Sequence, residues 1–317
     1  MLKRILLPVL LGFLCSGDVF AQDPIFTQFY ANPLYLNPAF AGSARCPRVN
    51  LNYRNQWPGI QGTYVTYSAS VDRHVDAIHG GLGLLATTDN AGKATLRTTN
   101  ISAIYAYLLE INRDFSVRFG FQATFFQKTI DWNKLTFGDM INARRRFIYD
   151  TREEKKLDNK ANADFSAGIL GYGKRYYFGL AAHHITQPDE GLIGTSKLPV
   201  KFTAHAGTTV ALGGDKGNET FISPNILFQQ QQDFRQLNLG LYLNKGAFVA
   251  GLWYRGQDAA IVLIGFQQNG FKIGYSYDVT VSKLSNASYG SHEISFSRQF
   301  ECKPTKKKFR TNSCPSF

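Results

Sequence analysis

Past its opening residues the chain offers no apolar run of the about 20 residues a membrane-crossing helix needs. Charge is also scarce: only 18% of the 317 residues are charged, too few for a disordered chain. A net charge of +12 arrives without any RNA- or DNA-binding motif, so nucleic acid is not expected as a partner. No cysteine or histidine spacing resembles a zinc or haem site, and no metal or other cofactor is expected. What the chain does have is glycine, 29 residues of it, and 14% aromatic residues, a mixture that suits one large β domain rather than a helical protein.

Alternation supplies the rest. In Phe115, Val117, Phe119, Phe121, Ala123 and Phe125, set against Ser116, Arg118, Gly120, Gln122 and Thr124, one strand face is oily and the other wet. Period two places every second side chain on one face. Segment after segment repeats this, with bare aromatics on the oily side, as lipid outside and a polar lumen inside require. The expectation is an all-β fold: a transmembrane antiparallel β-barrel of the outer-membrane type, with long extracellular loops and an irregular segment before the first strand.

Strands are read at 48–54, 62–72, 80–88, 96–108, 115–131, 162–173, 176–185, 199–212, 220–232, 235–244, 247–255, 259–267, 271–278 and 291–300, about fourteen in all. An even count puts both termini in the periplasm. The long connections 131–161, 185–198 and 279–290 then fall outside, with Trp57-Pro58-Gly59 and the turn Asp89-Asn90-Ala91-Gly92. Short turns at Gly173-Lys174-Arg175, Lys245-Gly246 and Asn269-Gly270 fall on the periplasmic side, where such barrels keep them short.

Lys3 and Arg4 precede the apolar stretch 5–14, and Val19-Phe20-Ala21 offers a peptidase site, so 1–21 reads as an export signal cleaved between Ala21 and Gln22. Residues 22–47 are expected to form a plug in the lumen or a cover on the periplasmic mouth, because their prolines exclude a regular helix or a central strand; a flexible leader is the alternative, against which stands the cost of leaving Phe26, Phe29, Tyr30, Tyr35 and Phe40 in water. The barrel occupies 48–300, and 301–317 is a basic periplasmic tail, either solvated or a docking segment. Loss of the signal leaves Cys46, Cys302 and Cys314: the last two could pair, and Cys46 could reach the same side of the barrel. Adjacent His183 and His184 would face opposite ways in a strand, which argues against a paired-ligand site.

Residues 22–42, Gln22-Asp23-Pro24-Ile25-Phe26-Thr27-Gln28-Phe29-Tyr30-Ala31-Asn32-Pro33-Leu34-Tyr35-Leu36-Asn37-Pro38-Ala39-Phe40-Ala41-Gly42, resemble the amino-terminal signature of the PorP/SprF family. Further similarities follow in order at Asn52-Tyr53-Arg54-Asn55-Gln56-Trp57-Pro58, Ile130-Asp131-Trp132, Leu198-Pro199, Tyr254-Arg255-Gly256, Gly274-Tyr275-Ser276-Tyr277-Asp278 and Gly290-Ser291-His292-Glu293-Ile294-Ser295. Thr27 stands where the family often has serine, and the cysteine-containing tail lies outside its shared core. The resemblance implies an outer-membrane barrel of the Bacteroidetes type IX secretion and gliding-motility apparatus. Such a barrel would assist export or surface anchoring of a particular secreted protein, such as a large adhesin or its C-terminal domain. It would also meet the type IX motor or a peptidoglycan-binding periplasmic protein, in addition to outer-membrane lipid.

Two other classes compete. A diffusion channel of the porin kind is open to a barrel of about fourteen strands, although bulky inward residues such as Ile104 and Leu170 suggest a filled interior. A membrane-embedded hydrolase would need a nucleophile, base and orienting group; His205, His292 and Asp278 exist, but no Gly-x-Ser-x-Gly elbow does, and no enzyme is expected. Candidate partner contacts at the outer rim are Trp57, Pro58, Trp132, Tyr254, Arg255 and Asp278, although a rim aromatic is more often a lipid-interface anchor than a binding contact. The outer loop 142–158, with Arg144, Arg145 and Arg146, could form a short surface helix and dock a partner, or be a solvated lid.

Overall fold

The structure, a computed structural model, describes residues 23–60, 62–142, 146–147, 149–153, 157–213, 220–256, 258–281 and 289–302. The export signal with Ala21 and Gln22, the loop residues Arg144 and Arg145, and the tail beyond Cys302 lie outside the described residues.

Alternation produces the strands. They are β1 (Arg48–Gln56), β2 (Tyr64–Val75), β3 (Gly80–Ala91), β4 (Leu96–Glu110), β5 (Phe115–Ile130), β6 (Asn159–Gly173), β7 (Tyr176–His183), β8 (Lys201–Thr208, resuming at Val210–Gly213), β9 (Thr220–Gln231), β10 (Phe234–Lys245), β11 (Phe248–Arg255), β12 (Ala259–Gln268), β13 (Phe271–Thr280) and β14 (Ser291–Gln299). The interruption in β8 has a local cause. Its ladder with β9 runs from Lys201 to Gly207 and restarts at Val210, and the stretch between faces Pro224, which has no N–H to give.

Every strand pairs antiparallel with its neighbours in sequence, and β14 returns to β1 in continuous register from Arg48↔Gln299 to Gln56↔Ser291. The sheet closes on itself, so it has no edge to leave unsatisfied in lipid. Faces sort as the alternation demands. On β5 Phe121 and Phe125 are more than half exposed on the outer wall, while Arg118 is 1% exposed within. Leu84, Ile101, Phe165, Leu180 and Ile264 continue the oily outer band on other strands.

β1 starts and β14 ends at one end of the barrel, here the tail end; the opposite end is the loop end. Short connections such as 174–175, 246–247 and 269–270 lie at the tail end, and 131–158, 184–200 and 281–290 at the loop end. Two sequence readings shift, and the open choice of cysteine partner is decided. Asp89, Asn90 and Ala91 continue β3, so that turn begins at Gly92. The long loop holds 3₁₀ turns at Trp132–Lys134 and Gly138–Met140 and a two-residue ribbon, Ile141–Asn142 against Arg146–Phe147, where a surface helix was expected. Cys46 is bonded to Cys302, with Cα atoms 5.4 Å apart, which joins the start of β1 to the end of β14.

Candidate functional site: a plugged lumen and its vestibule

The lumen is occupied by the chain itself. Residues 26–43 are buried apart from the half-buried Ala31 and Tyr35, and they descend from the loop end to the tail end. Proline shapes the path: short turns open at Pro33 and at Pro38, first-turn positions where the missing N–H would have been unpaired anyway. The Asn37 side chain caps the second of these, accepting from Ala39 N at 2.9 Å. Between them the segment buries Phe29, Tyr30, Leu34, Leu36 and Phe40 against wall residues Ile104, Leu170, Tyr177 and Trp253. Each such side chain contributes about 1.5–3 kcal/mol on leaving water.

Glycines on the wall make the room. A Cβ on Gly120 would stand 2.2 Å from Ala39 N, and one on Gly168 would stand 2.1 Å from Asn37 Oδ1. The plug backbone therefore lies where ordinary inward side chains would be.

Polar anchors fix each level. At the tail end Arg118 donates to Ala41 O at 2.9 Å and to Gly42 O at 3.1 Å, and Asp72 accepts from Gly42 N at 2.8 Å. Midway, Asn37 Nδ2 donates to Ile169 O and Leu180 O, and Asn32 Nδ2 donates to Ser68 Oγ. Near the loop end Glu293 accepts from the backbone N–H groups of Thr27 and Gln28, at 2.5 and 3.1 Å.

Glu293 belongs to a buried charge quartet. Arg54 of β1 pairs with Asp278 of β13 at 2.9 Å and, across the closure seam, with its register partner Glu293 at 3.4 Å. Arg255 of β11 reaches Asp278 at 3.2 Å. Thr27 of the plug sits among them: its hydroxyl donates to Asp278 at 2.8 Å and accepts from Arg54 and from Arg255. Two cations face two carboxylates, so the group is neutral, as burial requires.

The plug begins in a second, looser cluster. Asp23 pairs with His184 Nε2 at 2.8 Å and with Lys201 at 3.4 Å, while His184 Nδ1 bonds Asp164 at 2.7 Å. Burial by itself would lower the His184 pKa, but the two flanking carboxylates outweigh it and hold it up to about 10. Burial would raise Asp23, and His184 with Lys201 outweigh that, so its carboxyl lies well below the usual range. Above Asp23, Pro24, Ile25 and Tyr35 opens a vestibule of about 710 Å³, lined by Trp57, Asp89, Asn100, Gln122 and Lys128 among others.

Residues 18–297 match the family described as "Type IX secretion system membrane protein PorP/SprF". The chain belongs to the PorP/SprF family. Comparison with curated proteins gives no match. Solved structures similar to this PorP/SprF chain are outer-membrane barrels. Omp33 of Acinetobacter baumannii is 8% identical, with 81% of this chain and 100% of that one covered and a TM-score of 0.44. The P. putida toluene transporter TodX is 8% identical (84% and 93% covered, TM-score 0.45), and a Pseudomonas aeruginosa FadL homologue is 11% identical (84% and 93%, TM-score 0.43).

The rim candidates of this PorP/SprF barrel divide. Arg255 and Asp278 point inward and are 4% and 2% exposed, held in the quartet around Thr27 of the plug, which corrects their reading as contacts on the outer rim. Tyr254, one residue away, faces lipid. Trp57 and Pro58 are half-buried at the loop end; Trp57 has φ +55° and its N–H donates to Gly290 O. Trp132 stacks on Phe137 at the root of the long loop. Arg146 pairs with Asn142 in the two-residue ribbon.

The hydrolase components do not meet: His205 stacks on Phe40 of the plug, His292 bonds Tyr275 on the outer face, and Asp278 sits in the quartet. One further expectation is corrected. Asp23 lies at the loop end and Cys302 at the tail end, so the described chain starts and finishes at opposite mouths, because the plug traverses the lumen before β1 begins. Sequence reasoning read Glu293, with His292, as a candidate barrel-closure feature but neither paired it with Arg54 nor found the Arg118 anchor, although all three occupy the inward phase of clean alternation.

Proposed function

We propose that this PorP/SprF protein is a plugged outer-membrane scaffold of the type IX secretion apparatus. Its loop end faces outward and holds a secreted surface protein, such as a large adhesin or its C-terminal domain. Its tail end, with the basic segment 301–317, faces the periplasm and meets the motor or a peptidoglycan-binding component. An export signal ending at Ala21 delivers it there.

The observation that carries this reading is the filled lumen. A diffusion channel needs an open bore, and here the bore below the loop-end vestibule is packed by a segment fixed through backbone hydrogen bonds, buried aromatics and a charge quartet. A barrel closed in this way offers surfaces rather than passage. The distribution of short and long connections supports the orientation.

The test is gentle solubilisation of the tagged protein from its native outer membrane, mass spectrometry of what copurifies, and conductance after reconstitution. A large exported protein or a periplasmic peptidoglycan-binding protein at near-equal abundance supports the scaffold. A lone barrel that conducts ions rejects it in favour of the channel.

A further inference from the structure

The vestibule at the loop end lies within the range of about 300–1,000 Å³ typical of ligand sites. Most charges on its wall are matched. Lys128 pairs with Glu190 at 2.9 Å, His184 and Lys201 with Asp23, and Arg54 and Arg255 with the carboxylates of the quartet. Arg235 of β10 has no ion pair among the described residues, and neither has Asp89 of β3. Asp89 accepts the Thr66 hydroxyl at 2.6 Å, and no cation among the described residues stands within ion-pair distance of it.

The same wall carries further acceptors in want of donors. Asn100 Oδ1 on β4 and Gln122 Oε1 on β5 are buried atoms without a hydrogen-bond partner among the described residues, and Gln122 itself is 9% exposed. Asp89 pairs in register with Thr98, two residues from Asn100, so carboxylate and amide oxygen are near neighbours on adjacent strands. Aromatic faces complete the lining at Trp57, Tyr64 and Phe126. Trp57 is held in a left-handed conformation that a bulky residue rarely adopts, as residues at binding sites often are.

A carboxylate, an unpaired amide oxygen on the adjacent strand and nearby aromatic rings call for a cationic ligand with N–H donors; Gln122, in register with Ile104, lies deeper in the lumen than this group. A lysine or arginine side chain fits: its charge matches Asp89, its donors the Asn100 oxygen, and its cation the ring faces. We propose that the vestibule is a socket for a basic side chain on an extended segment of the secreted protein, with Asp89 as its counter-ion. The plug is the floor of that socket, and closing the lumen gives the inserted segment a base to rest on. This inference rests on the scaffold reading above, which supplies the secreted protein as occupant.

The experiment uses the full-length protein in its native membrane, with two variants. Thr98→Cys places a thiol on the vestibule wall, and intact cells are treated with a small membrane-impermeant maleimide. Labelling is expected to be slow in secreting cells and fast in cells whose secretion is blocked. In parallel, Asp89→Asn, checked as a folded barrel on an unheated gel, is expected to retain roughly tenfold less of the copurifying secreted protein, the loss of one charged hydrogen bond. Equal labelling in the two kinds of cell overturns the socket. So does protection that persists when secretion is blocked, which would assign the cavity to a glycan or lipid headgroup, and so does unchanged retention by Asp89→Asn. If no secreted protein copurifies with the unmodified chain, the scaffold reading fails; if one copurifies while Thr98→Cys labels freely, only the socket does.

Discussion

Asp278 shows how closely single side chains are committed in this lumen. Its Oδ2 receives Arg54, Arg255 and the Thr27 hydroxyl. Asp278→Asn would leave buried Arg54 with Glu293 and Arg255 with Asp258 as their remaining carboxylates, at 3.4 and 3.5 Å, and breaking a buried pair in this way costs about 3–5 kcal/mol. A drop of the denaturant midpoint in detergent is expected, and an unchanged midpoint would show that the quartet is not a structural anchor. Gly120 makes a steric counterpart. A Cβ there meets the plug backbone at 2.2 Å, so Gly120→Val should destabilise by about 1–3 kcal/mol through overpacking, read as a lowered thermal midpoint. The same change at Gly138, where a Cβ meets nothing within 4 Å, should be nearly silent.

As an element, the plug is fixed more firmly at one end than the other. At the tail end it continues into Cys46, which is bonded to Cys302. At the loop end it depends on Asp23 with its two cations, and that cluster has a defined pH window. The His184 pKa is raised to about 10, so its contribution is complete below the ordinary histidine value and fades as pH rises through about 10. Asp23 is depressed, so its contribution is present above the ordinary carboxylate value and fades only as pH falls below it. A spin label at Pro24→Cys should therefore keep constant mobility from about pH 5 to 8 and loosen above about 10. Mobility rising near pH 6.5 would mean that His184 is not held between two carboxylates. Deleting residues 23–42 should turn a silent barrel into a conducting one in planar bilayers, since inward wall residues such as Ile104, Leu170, Tyr177 and Trp253 then lose the segment that fills the space between them. Absence of conductance from a folded deletion variant would show that the wall closes the lumen unaided.

At the scale of the whole molecule, the closed barrel separates its tasks by surface: lipid around the wall, a packed interior, and two unlike ends. Removing 142–158 should leave the barrel inserted, because none of those residues belongs to β1–β14, while capture of the secreted protein falls. Unchanged capture in the pull-down would assign docking to the vestibule and the remaining loops. The Cys46 to Cys302 bond spans 256 residues of sequence and closes the molecule at the seam where β14 meets β1. Sequence alone left the choice of cysteine partner open, because it depends on which chain ends the closed sheet brings together.

Strand phase was legible throughout. Alternation on β5 assigned each residue from Phe115 to Phe125 to lipid or lumen, since a period of two leaves only two phases and the oily one must meet lipid. The number of strands and the placement of short and long turns followed from the same pattern, and the ordered motifs from Gln22 to Ser295 marked the family. Which inward residues meet was decided by closure alone. Arg54 and Glu293 are 239 residues apart in sequence and become register partners only when the last strand finds the first. Likewise, prolines argued against a helix or central strand over residues 22–47 and aromatics weighed against an exposed leader, but a short irregular segment carries no periodicity that says where it lies. The matching hollow for Ala39 and Asn37 exists only after Gly120 and Gly168 are brought side by side on β5 and β6, and that hollow sends the plug through the lumen and Asp23 to the far mouth.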